Sequence, residues 1–147
     1  MEPGPTVIAA QGVLNPGFAI AAALALVTFV VHTFVGGRFA ARPLLAAADF
    51  NKASRWLNYM TWHMVTVLLL VMAAGYGAAA FIPGMADVAI LLTLLSGLLS
   101  LLSVWVALKG GIAPWRFPSS WLFALIVVAA LWGVEHALSD LTLHATR

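Results

Sequence analysis

His32 and His63 are the residues of this chain whose type and position could carry chemistry. His32 falls about five residues before the end of a first long apolar run, and His63 about five residues after the start of a second. At a rise of 1.5 Å per residue, both sit roughly 7 Å inside the same boundary. Two imidazoles at equal depth on sequential antiparallel helices can meet, and an ionisable group inside an apolar span is a functional candidate by default. Three chemistries fit the pair. Two axial histidines on facing helices could hold a b-type haem. A single metal ion could take both rings, with Met60 or Met64 as soft ligands for copper, although a zinc site asks for three or four protein ligands. The pair could also relay protons or hold a quinone headgroup. Against these stands a structural role, in which neutral His32 and His63 bond to Thr, Trp or backbone groups and lock the helices together. Trp62, next to His63, reads as an interface anchor.

The elements that must position these histidines are four apolar runs, 16–37, 59–82, 88–108 and 119–138. Each has about 20 residues, enough to cross a hydrocarbon core of roughly 30 Å as a helix. None has an Asp, Glu, Lys or Arg in its middle. Charged residues make up 8% of the chain and hydrophobic ones 63%, whereas soluble domains carry about 25% charged residues. The mean hydropathy of +1.03 agrees. The expected fold is therefore an all-α integral membrane protein: one domain over residues 1–147, a four-transmembrane-helix antiparallel bundle with cytoplasmic loops 38–58 and 109–118. No cysteine is present, which excludes disulfides, thiolate metal sites and cysteine nucleophiles.

Charge sets the expected orientation. Arg38, Arg42, Lys52, Arg55, Lys109 and Arg116 fall in the two loops on one side, against Asp49 alone. The side with the termini has Glu2, Asp87, Glu135 and Asp140, with Arg147 as its one basic residue. The positive-inside rule places the loops in the cytoplasm and the N and C termini outside, in the periplasm of a bacterial inner membrane. Trp56, Trp62, Trp105, Trp115 and Trp121 fall near the cytoplasmic boundary and Trp132 near the other, as headgroup anchors do. The basic pI is thus read as topology and not as nucleic-acid binding. Residues 1–15 contain Glu2 and no basic residue, so the first span is expected to be retained and not cleaved as a leader. No lipidation motif is present.

Along the chain, the first span is expected to end at Gly36–Gly37, with Pro43 blocking its continuation. Residues 44–58 then read either as a short amphipathic helix on the membrane surface or as an irregular basic loop. Ile82–Pro83–Gly84 is a tight turn, so the second and third spans should be antiparallel neighbours. In lipid, helices associate through small residues and polar contacts. Gly17, Ala21, Ala25, Thr28, His32 and Gly36 share one face of the first span. His63, Thr66, Ala73 and Gly77 form the candidate seam of the second. Thr93, Ser96 or Gly97, Ser100, Ser103 and Ala107 form that of the third, where hydroxyls should bond back to their own helix or bridge to a neighbour. Ala129, Gly133 and Ala137 form that of the fourth.

Glu135 and His136 lie at the opposite end from His32 and His63 and read as solvated at headgroup level. A metal site combining them with Asp140 and His144 lacks a recognisable ligand spacing. No GxSxG, Walker loop, HExxH or intramembrane carboxylate pair occurs, and no inverted repeat. Transport by this chain alone and enzymatic activity are not expected.

The run His32-Thr33-Phe34-Val35-Gly36-Gly37 closing an apolar helix resembles the first-helix pattern of the copper-resistance D-type membrane domain. Related four-helix bacterial membrane proteins of unknown function look similar. The resemblance covers about one helix and implies a metal or haem role for His32. Phe34 and Val35 stand where that pattern often has a Trp. Two expectations of function follow. One is a non-catalytic accessory subunit of a larger membrane complex of respiratory or photosynthetic type, with lipid and protein helices as its partners. The other is a membrane protein that binds haem b or a metal ion through His32 and His63.

Overall fold

The computed structural model describes residues 14–145, for 140–145 the backbone alone. All regular structure among them is helical. Asn15 opens the first helix. Its Oδ1 accepts the Phe18 N–H at 3.1 Å, and Pro16 follows in the first turn, where a missing N–H leaves nothing unpaired. Helix α1 (Pro16–Val30) runs without interruption into a π-helical segment (Val31–Ala41) and then into α2 (Arg42–Ala46). Helix α3 (Lys52–Phe81) starts at the Asn51 cap, whose Oδ1 accepts the Ser54 N–H at 2.8 Å. Helix α4 (Ala86–Lys109) follows the turn around Gly84, where φ is +85°. A Schellman-type end closes α4. Gly111 takes φ +66°, and the N–H groups of Gly111 and Ile112 donate to the carbonyls of Leu108 and Ala107. A 3₁₀ turn (Pro114–Arg116) leads into α5 (Pro118–Ala145).

Four helical rods are long and apolar enough to cross a membrane: Pro16–Ala46, Lys52–Phe81, Ala86–Lys109 and Pro118–Ser139. The first two depart from the expected boundaries. Residues 38–58, expected as a loop, are helical except for the bend between Ala46 and Lys52. Gly36–Gly37 does not end the first rod, and Pro43 does not block it. Proline removes the N–H that would bond four residues back, and its ring crowds that carbonyl. The backbone answers by widening into π turns, in which the Arg42 N–H reaches the Gly37 carbonyl five residues back. Residues 44–58 are thus helical on both sides of a short bend at 47–51. They are the ends of two rods, of 31 and 30 residues, about 45 Å each, which exceeds a hydrocarbon core of roughly 30 Å.

Pairwise contacts fix the arrangement of the rods. Asn15 meets Ala80 and Gly36 meets Trp62, so α1 and α3 are antiparallel. Gly17 meets Gly133, and Ser100 meets Ser120, so α1–α5 and α4–α5 are antiparallel too. Tyr76 meets Thr93 and Ser96, which closes the ring between α3 and α4. That last pair is the lightest of the four interfaces, although the two helices are joined by the shortest connection. This bundle order gathers Arg38, Arg42, Lys52, Arg55, Lys109 and Arg116 at one end.

Small residues do mark the interfaces of α1. Gly17, Ala21, Ala25 and Thr28 are buried, and a methyl on Gly17 would overlap the Gly133 backbone. The α3 seam differs from the expected one. Leu69, Met72, Tyr76, Ala79 and Ala80 are buried there, while His63 is exposed and Thr66, Ala73 and Gly77 are only partly covered. Large side chains on α3 fill the core there, and Tyr76 reaches Thr93 and Ser96 on α4. The α4 hydroxyls behave as expected. Thr93 donates to Ala89, Ser96 to Leu92, and Ser100 across to the Ser120 carbonyl at 2.7 Å.

Candidate functional site

A cavity of about 420 Å³ opens at the basic end of the bundle, between the π segment, α3 and the start of α5. Its size lies within the usual range of small-molecule pockets. Val31, His32, Val35, Gly36, Phe39 and Ala40 line it from the π segment, recurring every four residues. Trp62, Val65 and Leu69 face it from α3. Phe117, Pro118, Ser119, Leu122 and Phe123 close it from the start of α5, and Thr28 borders it from α1. The wall is largely apolar and aromatic, with few polar atoms.

His32 is held rigidly at this wall. Its ring stacks on Trp62 with centroids 4.0 Å apart and planes 17° from parallel. Its Nε2 stands 3.1 Å from the Trp62 carbonyl. That same carbonyl accepts the Thr66 hydroxyl at 3.4 Å. The stack requires Gly36, because a Cβ there would lie 2.7 Å from Cη2 of Trp62. Trp62 is therefore more than an interface anchor. It supplies a ring face, a carbonyl acceptor and part of the cavity wall. The sequence held a signal for this, since Trp62 and Gly36 occupy matching depths on antiparallel helices, as His32 and His63 do.

The structure does not bring His63 into this site. His63 is exposed on the outer side of α3, edge-on to Tyr59 with centroids 4.5 Å apart. Met60 and Met64 are exposed as well, and neither lines the cavity. Consecutive helical residues point about 100° apart, so turning Trp62 inward turns His63 outward. Among the described residues, no group of three or more His, Asp or Glu side chains could hold a metal ion. Glu135 is exposed at the other end of the bundle, and the side chains of Asp140 and His144 lie outside the described residues.

A second polar cluster ties the opposite end together. Asn15 donates from Nδ2 to the Gly133 carbonyl at 2.8 Å and from its backbone to the Ala80 carbonyl at 2.9 Å. With its cap on α1, this one buried residue joins three rods. Its position before Pro16 at a helix start was the sequence signal for the cap; the two long-range bonds had none.

The chain matches no protein-family model, no curated protein and no solved structure.

Proposed function

We propose that this chain is a multi-pass protein of the bacterial inner membrane with both termini periplasmic, and that it serves as a non-catalytic accessory subunit of a larger membrane complex. The observation that carries this reading is the outer face of α4. Leu91, Leu94, Leu98, Leu101, Trp105 and Leu108 are all exposed and follow each other at alternating steps of three and four. That is the spacing by which one helix receives another along a seam. The interfaces inside the bundle leave this stripe uncovered, and we read it as the seam for a helix of a partner subunit. The basic end supports the cytoplasmic placement of the two connections. The test is size-exclusion of natively expressed, mildly solubilised protein. Elution within a much larger particle with reproducible protein partners is the expected result. A well-behaved monomer that never co-purifies with another protein overturns the reading.

A second reading is favoured by the cavity beside His32. There the chain is a cofactor-binding membrane protein, with His32 as the polar contact. His63, exposed and edge-on to Tyr59, does not line this cavity.

A further inference from the structure

The hydrogen bonding of His32 determines which ligand chemistry the cavity favours. A carbonyl has no hydrogen to give, so in the contact with Trp62 the hydrogen belongs to Nε2 of His32. In the neutral ring, Nδ1 then carries a lone pair and can only accept. It has no hydrogen-bond partner among the described residues, and it is not among the atoms that protein encloses. The Thr28 hydroxyl, which also borders the cavity, already donates to the Leu24 carbonyl at 2.7 Å. His32 thus stands among aromatic rings from Phe39, Trp62, Phe117 and Phe123, with Ser119 lining the same wall.

We propose that this cavity binds the aromatic head of a lipid-soluble hydroquinone, with one ring hydroxyl donating to Nδ1 of His32. The proposal rests on the cofactor-binding reading and gives it a ligand class. Aromatic walls suit a flat ring, and a hydroxyl satisfies the Nδ1 lone pair of His32. The oxidised quinone carries carbonyls in place of hydroxyls and would set acceptor against acceptor. Reversing the imidazole tautomer does not help, because Nε2 would then point a lone pair at the Trp62 carbonyl 3.1 Å away. The contact at His32 therefore favours the reduced form. No electron transfer is needed for this selection.

The test uses the full chain in lipid nanodiscs, with ¹⁵N-labelled histidine, titrated with decylubiquinol and, separately, with decylubiquinone. Saturable binding of the quinol is expected, tighter than the quinone by a factor of roughly ten, as for a polar group left unpaired in an apolar site. The quinol should also move the Nδ1 resonance of His32. His32→Phe keeps a ring to stack on Trp62 and should erase the preference for the reduced form. Leu122→Trp fills the cavity and should abolish binding of both forms. Equal affinity for quinol and quinone, or a preference that survives in His32→Phe, overturns the hydroquinone assignment and leaves a cofactor cavity of other specificity. If neither probe binds, and haem and copper do not bind either, the cofactor-binding reading falls with it.

Discussion

The Trp62 carbonyl accepts from Nε2 of His32 at 3.1 Å while the two rings stack 4.0 Å apart. One residue of α3 thereby fixes both the position and the tautomer of a histidine on the neighbouring rod. This contact separates the two histidines in place: His32 is half-buried at the cavity wall, and His63 is exposed.

The two histidines should therefore respond differently to truncation. His32→Ala removes a hydrogen bond and a ring stack and should cost about 1–2 kcal/mol of stability. His63→Ala should stay within about 0.5 kcal/mol, as exposed positions do. Gly36→Ala should resemble His32→Ala, because its methyl displaces the Trp62 ring and overpacking costs about 1–3 kcal/mol. Thermal unfolding in detergent ranks all three.

The glycine crossing of α1 and α5 predicts a sharper contrast. Gly17→Ala places a methyl into the Gly133 backbone, which cannot yield as a side chain can. It should destabilise by about 3 kcal/mol, the upper end for overpacking. A Cβ at Gly37 meets nothing within 4 Å. Gly37→Ala should thus be neutral or stabilise slightly, by up to about 1 kcal/mol. The same unfolding measurement separates the two.

Asn15 tests the clamp at the far end. Asn15→Asp keeps an oxygen for the Phe18 N–H but loses the amide that donates to Gly133. It should lose about 1 kcal/mol. Asn15→Ala loses the cap as well and should lose about 2 kcal/mol or more. Hydrogen exchange at the start of α1 should quicken in the same order.

The lack of native cysteine makes orientation directly measurable. Ile82 and Ile112 are exposed at opposite ends of the bundle. In spheroplasts, a membrane-impermeant maleimide should label Ile82→Cys at once and Ile112→Cys only after lysis. The reverse pattern contradicts the proposed topology.

How far the sequence spoke depends on which physical signal each feature left. Hydropathy and length marked all four rods, and the clustering of Arg38, Arg42, Lys52, Arg55, Lys109 and Arg116 marked their common end. The alanine face of α1 was legible because small residues serve only close packing. The α3 face was not, because Leu69, Met72 and Tyr76 face the core with side chains that could equally face lipid. The first rod was read short because glycine pairs and proline usually stop a helix, and the π turns that accommodate Pro43 leave no compositional trace. The residue that stacks on His32 is Trp62 and not the neighbouring His63, and on a helix one position turns a side chain by about 100°.

The central claim, that the α4 stripe receives a helix from a partner subunit, is tested most directly by site-specific photo-crosslinking in the native membrane. A photoreactive amino acid at Leu98 is compared with one at Val128, an exposed position on α5 outside the stripe. A discrete protein adduct from Leu98 and only lipid adducts from Val128 are expected. Lipid adducts alone from Leu98 would contradict the claim.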